Sequence, residues 1–183
     1  PLEGAYHGFL ITHSESISIA DYLTVRENGK IVYRPTVHYA YHPCDDAVLS
    51  MHELAGKNWQ EQPVKRLMRD EIEEGHDELG VLLMGNEKGV YWLGSHLTID
   101  QARESTPHNN ATSLQVAAGV LAGVIWAIDN PDMGVIEPDD IDHERMLEIA
   151  RPFLGEIVGS YGKWTPLENR NWPFEEDIDK SDP

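Results

Sequence analysis

The leading candidates for chemistry in the chain are a histidine and a carboxylate two positions apart, His13 and Glu15. They lie in a run rich in β-branched and aromatic residues, 8–25, whose period-two alternation predicts a strand. Alternate residues of a strand share a face, so both side chains are predicted to point the same way. A carboxylate beside an imidazole favours its protonated form, and such a pair can shuttle protons near neutral pH. The alternative is a half-buried edge strand whose polar end simply meets water.

A second group of candidates consists of two carboxylates, Asp77 and Glu78, just before an apolar run. Carboxylates at the end of a strand can reach the edge of a pocket, whereas the alternative is a solvated loop or a cap. Trp92, in the next apolar run, could add cation–π attraction. Tyr39 and Tyr41 could do the same, although aromatic residues at strand spacing are more often part of a core.

Four further residues have side chains that can bind metals, namely His38, His42, Cys44 and His52. His38 and His42 would share a strand face, but four residues of extended chain separate them by roughly 13 Å, which is too far for one ion. The sequence contains neither a CxxC nor an HExxH motif. We therefore expect no metal site.

The composition limits the classes of partner. The chain has 183 residues, 40% of them hydrophobic and 25% charged, which is typical of a single globular domain with its own core. The formal net charge of −18 argues against nucleic acid and anionic membranes and favours cationic partners, although an acidic surface can also serve solubility alone. The single cysteine, Cys44, excludes an internal disulfide and suits a reducing, cytoplasmic compartment.

Two β-hairpins are predicted from their turn residues. The Asn28-Gly29 pair favours a tight turn followed by a return strand over 31–42. A glycine-flanked turn is predicted to join two apolar strands, 81–84 and 90–93, with one nearly all-apolar strand central in the sheet. Further strands are predicted over 67–74 and 156–161.

The longest predicted helix begins at Asn110 or Thr112 and ends before Pro131. It is apolar on nearly every side, which predicts that it is buried. Gly119 and Gly123 would allow the backbone of another element to approach closely. Other helices are predicted over 45–56, over 100–104, and from Asp140 or Asp142 to Ile149.

These elements predict an α+β fold, in which a mixed, largely antiparallel sheet packs against helices, including a buried helix near 112–130. The longest apolar run, Val116 to Ile128, is shorter than the ~20 residues that cross a bilayer, so we expect no membrane partner. Prolines and acids from Trp164 onward predict an extended acidic arm over 164–183. The chain begins with Pro1, which indicates a piece of a longer protein.

Five segments carry a resemblance to a known family. They read GFLITHSESISIADYLTV (8–25), YRPTVHYAYHPCDDAVLSMHE (33–53), DELGVLL (77–83), NATSLQVAAGVLAGVIWAIDNP (110–131) and EDIDKSDP (176–183). In this order they resemble the C-terminal half of bacterial homospermidine synthases, and the likeness covers essentially the whole chain. It implies that residues 1–183 are the catalytic, substrate-binding and dimerisation portion of a saccharopine-dehydrogenase-like enzyme.

The resemblance also implies a reaction and a set of site residues. Homospermidine synthases use NAD to join two putrescines, or spermidine and putrescine, and a homodimer is expected. The histidine that matches His13 lies in their active-site pocket near the nicotinamide, so His13 is implied to be catalytic and to contact the cofactor. Glu15 matches the same motif. Asp77 falls in a segment that matches their acidic amine pocket, which has aromatic neighbours.

The NAD-binding domain itself is expected upstream of this chain. The nearest approach to a G-x-G-x-x-G motif joins Gly155, Gly159 and Gly162 with the wrong spacing and does not open a helix. Two alternatives remain. A saccharopine- or carboxynorspermidine-type dehydrogenase would need an arginine for its carboxylate substrate, for which Arg34 and Arg103 are candidates. A polyamine-binding module without enzymatic activity would need no cofactor.

Overall fold

The computed structural model describes residues 8–163, which divide into two compact units. The first, called here the histidine unit, consists of residues 8–67 with Met133–Ile141. The second, the sheet unit, consists of Met68–Asp132 with residues 142–163. The predicted acidic arm over 164–183 lies outside the described residues.

Short strands and two helices make up the histidine unit. Its elements are β1 (Phe9–Ile11), α1 (Ser14–Tyr22), β2 (Val25–Glu27), β3 (Lys30–Tyr33), β4 (Tyr39–Tyr41) and α2 (Asp45–Gly56). Strand β1 pairs with β4 and β2 pairs with β3, both antiparallel. A 3-10 turn, Pro138–Asp140, completes the unit.

The prediction of one strand over 8–25 is wrong, because a helix occupies its centre. Glu15 lies in the first turn of α1, where a carboxylate interacts favourably with the positive end of the helix dipole. The alternation of isoleucines and serines suggested a strand, but Ile17 and Ile19 are both exposed and share no packed face. The alternation of isoleucine and serine therefore does not correspond to an alternation of buried and exposed side chains.

The Asn28-Gly29 hairpin is confirmed. Both residues have positive φ angles, 51° and 77°, as a tight turn between β2 and β3 requires. The predicted return strand over 31–42 is instead divided between two sheets, because β3 ends at Tyr33 and β4 pairs with β1. Helix α2 is confirmed, although its N-cap residue is Cys44, which makes no side-chain capping bond.

The sheet unit is a three-stranded antiparallel sheet with helices, which confirms the predicted α+β class. Its elements are β5 (His76–Asn86), β6 (Gly89–Thr98), α3 (Ile99–Ser105), α4 (Ala111–Asp129), α5 (His143–Ala150) and β7 (Glu156–Gly162). The sheet order β5-β6-β7 makes β6 the central strand. The second hairpin is thus confirmed and is longer than predicted.

The strand predicted over 67–74 is wrong, since β5 begins only at His76. The segment 70–74 contains four acidic side chains, and the like charges disfavour packing as a strand.

Helix α4 is only partly buried, which corrects the prediction that it is buried. Its small residues Ala118 and Ala122 pack with Ala150 of α5, whereas Val116 and Val120 on the other side are exposed. No atom from another element lies within 4 Å of a Cβ built at Gly119, so the expected close backbone approach is absent there. By length and composition α4 could cross a membrane, a criterion that the core helix of a soluble protein also meets.

Candidate functional site

His13 occupies the position between β1 and α1, where it is the N-cap residue of the helix. Its imidazole stacks on the ring of Tyr39, with 4.2 Å between the ring centroids and 15° between the planes. Tyr39 is opposite Ile11 in the β1–β4 pair, so the ladder fixes the stacking surface beside the histidine. Two elements therefore orient this imidazole, a strand on one side and a helix start on the other.

The Nδ1 atom of His13 contacts Oε2 of Glu15. The structure thus brings together the pair that was singled out in the sequence, but at a helix N-terminus and not on a strand. The hydrogen bond with His13, followed by the bond with its own backbone amide, lowers the pKa of Glu15 below its usual value of 4.5. Glu15 is therefore ionised at neutral pH, and it attracts an imidazolium at position 13.

Both side chains are open to solvent, with 41% of His13 and 51% of Glu15 exposed. An oriented imidazole that is accessible and backed by a carboxylate can take a proton from a bound molecule and release it to water. Tyr39 was considered only as a cation–π residue, and its role as the stacking partner of His13 was missed. The pairing of β1 with β4, which brings it there, has no local sequence signal.

In the sheet unit, the two carboxylates that were treated as one site lie on opposite faces of the sheet. Asp77 accepts a hydrogen bond from the Thr112 hydroxyl in the first turn of α4, and it is therefore on the helix-covered face. Glu78 is opposite His96 in the β5–β6 pair, and its Oε1 lies 3.4 Å from Nδ1 of His96. Consecutive residues of a strand point to opposite sides, which separates the pair.

The face with Glu78 also carries Trp92, the predicted aromatic residue. Its indole lies over the paired glycines Gly80 and Gly94, where a Cβ atom would come within 2.7 Å and 2.6 Å of one indole carbon. On this face the glycine pair is the next pair after Glu78–His96, since Leu79–Ser95 between them points to the other face. A half-buried carboxylate and an aromatic ring on one sheet face can recognise an ammonium group by charge and by cation–π attraction.

Two histidines on the same face were not recognised in the sequence. His76 and His96 stack with 4.6 Å between their ring centroids. They are 20 positions apart in the chain, and only the β5–β6 register brings them together. The sequence predicts the hairpin, but neither its full length nor its register.

The arginines that a carboxylate substrate would require interact with the protein itself. Arg34 lies 3.9 Å from the carboxylate of Asp21, and Arg103 donates a 3.0 Å hydrogen bond to the backbone carbonyl of Arg69. This arrangement gives no support to the dehydrogenase alternative.

The sequence profile of the saccharopine dehydrogenase C-terminal domain family matches residues 1–162. The chain therefore belongs to this family of C-terminal domains. Within it, the chain is similar to homospermidine synthases: it is 55% identical over its whole length to that of Blastochloris viridis and 50% identical to that of Mesorhizobium japonicum.

A solved structure shows the same fold. The homospermidine synthase of Legionella pneumophila, in complex with NAD, matches 98% of this chain with a TM-score of 0.83 and 54% sequence identity. The chain spans 39% of that protein, 39% of the Blastochloris enzyme and 38% of the Mesorhizobium enzyme.

Proposed function

We propose that this chain acts as the C-terminal portion of an NAD-dependent homospermidine synthase. The observation that carries the proposal is 50–55% identity across the whole chain to two homospermidine synthases. The substrates are two putrescines, or spermidine and putrescine, and the strongly acidic composition of the chain is consistent with such cations.

In the proposed reaction an amine-bearing carbon is oxidised to an imine, a second amine adds to it, and the first nitrogen leaves. Reduction of the new imine then gives homospermidine, with ammonia as the by-product when two putrescines react. NAD supplies the chemistry for both steps, because it accepts a hydride in the oxidation and returns it in the reduction. It is therefore not consumed overall.

The described residues do not themselves form a dinucleotide-binding fold. All strand pairs within residues 8–163 are antiparallel, whereas such a fold needs parallel βαβ units. We therefore assign NAD binding to the remainder of the longer protein, with His13 as the contact that this chain contributes.

Within this chain, we propose that His13 removes the proton from the attacking amine. Three features support this role: the exposed imidazole, its stacking on Tyr39 and the ionised Glu15 beside it. Glu15 would stabilise the imidazolium that forms. All three features lie within the histidine unit.

Glu78 and Trp92 are proposed to hold the distant ammonium group of a bound amine. Their support is the shared sheet face and the position of the indole over the Gly80–Gly94 pair. Asp77 stays a proposed ammonium contact from the other face, because a carboxylate that accepts one bond from Thr112 has further acceptor capacity.

We also propose that the longer protein is a homodimer. Strand β5 is a long edge strand with exposed apolar side chains on both faces, for example Leu79 and Leu82. Edges of this kind favour pairing with another chain.

The test of the proposed function is to incubate the full gene product with putrescine and NAD. Mass spectrometry follows homospermidine, and absorbance near 340 nm follows NADH. We expect homospermidine without net NADH. Accumulating NADH without coupled product would indicate a plain dehydrogenase, and no change in either would favour a polyamine-binding module.

A further inference from the structure

We propose that His76, Glu78 and His96 form a binding site for a first-row transition-metal dication such as Zn²⁺. One ligand atom from each of these side chains lies within 4.8 Å of the other two. The group brings together the stacked imidazoles of His76 and His96 and the carboxylate of Glu78 on one face of the β5–β6 hairpin. None of the sequence motifs considered above includes these histidines.

The backbone around the three residues is held in place on both strands. Glu78 pairs with His96 and His76 pairs with Thr98, so the ladder holds all three ligands in register. Thr98 caps α3 by accepting a bond from the Gln101 amide, which anchors the end of β6. The Ile99 amide donates a 3.0 Å bond to the Gly75 carbonyl, which anchors the start of β5.

Only side-chain rotation is needed to close the site. Donor atoms around a tetrahedral Zn²⁺ lie about 3.3 Å apart, given metal–ligand distances of about 2.0–2.1 Å. His76 is exposed and 39% of the His96 side chain is exposed, so both rings have room to turn. Glu78 is only 18% exposed and provides a fixed point toward which they can move.

The ligand set selects the class of ion. Two imidazoles and one carboxylate suit Zn²⁺ and its neighbours, whereas Ca²⁺ and Mg²⁺ prefer oxygen ligands throughout. Glu156 of β7 lies directly opposite His96 on the same face, and its carboxylate adds negative charge beside the site. Three protein ligands leave a fourth position for water or another group.

The proposal that Zn²⁺ binds at this site does not depend on the proposed enzymatic activity. One consequence does rest on the proposed function: because Glu78 is also the proposed ammonium contact, Zn²⁺ and a diamine would compete for the same carboxylate. Zinc should then act as an inhibitor whose effect is overcome by putrescine.

The test is a calorimetric titration of the metal-free full gene product with Zn²⁺, without NAD or putrescine. We compare the wild type with His76→Ala, His96→Ala and a control, His108→Ala. His108 is an exposed histidine of the sheet unit that lies 3.8 Å from Asp70, outside the group of three. Cobalt absorption spectra of the same proteins report the ligand set directly, and circular dichroism checks that each variant is folded.

We expect one equivalent of Zn²⁺ to bind, with the affinity at least about tenfold weaker in both ligand variants and unchanged in the control. Wild-type binding that is absent, or that survives His76→Ala, would overturn the metal site. Neither result bears on homospermidine production, so the proposed function can fail or stand separately. If one ligand variant does not fold, the other variant and the cobalt spectrum of the wild type still test whether these residues bind the metal.

Discussion

The two units differ in how they are held together. Within residues 8–163, every buried side chain of the core belongs to the sheet unit, where two clusters lie around α4. In the histidine unit, residues 8–67 and 133–141 include no buried residue. Its sheets are two-stranded, and such ribbons are marginally stable by themselves. The sheet unit thus has its own core, whereas the His13 site is built on local contacts.

Helix capping shows the same contrast. The three α-helices of the sheet unit each begin with a side-chain cap, supplied by Thr98, Asn110 and Asp142. The two helices of the histidine unit begin at His13 and Cys44, and neither side chain makes a capping bond. Helix α1, which follows His13, therefore lacks the stabilisation that a side-chain cap supplies.

The largest expected effect comes from removing the His13 imidazole. In the full gene product, His13→Ala should lower kcat about 10²- to 10⁴-fold while the KM for putrescine changes little, because a lost proton acceptor acts mainly on the chemical step. Steady-state kinetics with homospermidine detection measures both constants. His52→Ala, an exposed histidine of α2, is the control and should retain activity. Unchanged turnover in His13→Ala would reject its assignment as the base.

The second prediction tests the difference in packing. Leu114 is buried under the sheet with Leu97, so Leu114→Ala should lower the free energy of unfolding of the 183-residue chain by about 3 kcal/mol. Leu49 of α2 is 65% exposed, and Leu49→Ala should change the free energy of unfolding by less than about 0.5 kcal/mol. Urea unfolding measures both. Equal losses would show that the histidine unit has a core of its own.

The third prediction concerns the caps. Asn110→Ala removes the bond to the Ser113 amide at the start of α4 and should cost about 1 kcal/mol of unfolding free energy. Cys44→Ala removes no capping bond and should be nearly neutral, whereas Cys44→Ser would introduce a capping hydroxyl and stabilise α2 slightly. The same urea experiment ranks the three variants. A cost for Cys44→Ala equal to that of Asn110→Ala would contradict the contrast in capping.

Features set by neighbouring residues could be predicted from the sequence. Asn28-Gly29 determines its turn through left-handed backbone angles, and Asn110 and Asp142 determine helix starts through single hydrogen bonds. Features set by strand pairing could not be predicted. The stacking of Tyr39 on His13 and the meeting of His76 with His96 depend on partners far apart in the chain.

The His13–Glu15 contact was predicted correctly, but for a reason that the structure does not bear out. The two residues meet because they are two positions apart, which the sequence shows, but the strand that was predicted to align them does not exist. Periodicity failed over 14–22 because the isoleucines are exposed and carry no burial signal. The separation of Asp77 from Glu78 shows the opposite case: strand alternation required it once β5 was recognised to include both residues.

The smallest expected effect is electrostatic and concerns Glu15. Its folded-state pKa lies below the usual value of 4.5, so its contribution to stability is present above that value and is lost as the pH falls through the folded pKa. The pair is about half exposed, and solvent screening limits this contribution to a few tenths of a kcal/mol. Carbon-13 NMR titration of the glutamate carboxylates in the 183-residue chain should therefore show the pKa of Glu15 rising toward 4.5 in His13→Ala.

Glu53 is the internal reference for this titration. Its pKa is also lowered, but by a hydrogen bond from Lys57 of the same histidine unit, so it should not move in His13→Ala. A shift of both carboxylates would mean that the substitution unfolds the unit as a whole. A shift of Glu15 alone would show that the histidine unit keeps its structure without the imidazole, and that the contact with His13 sets the pKa of this carboxylate.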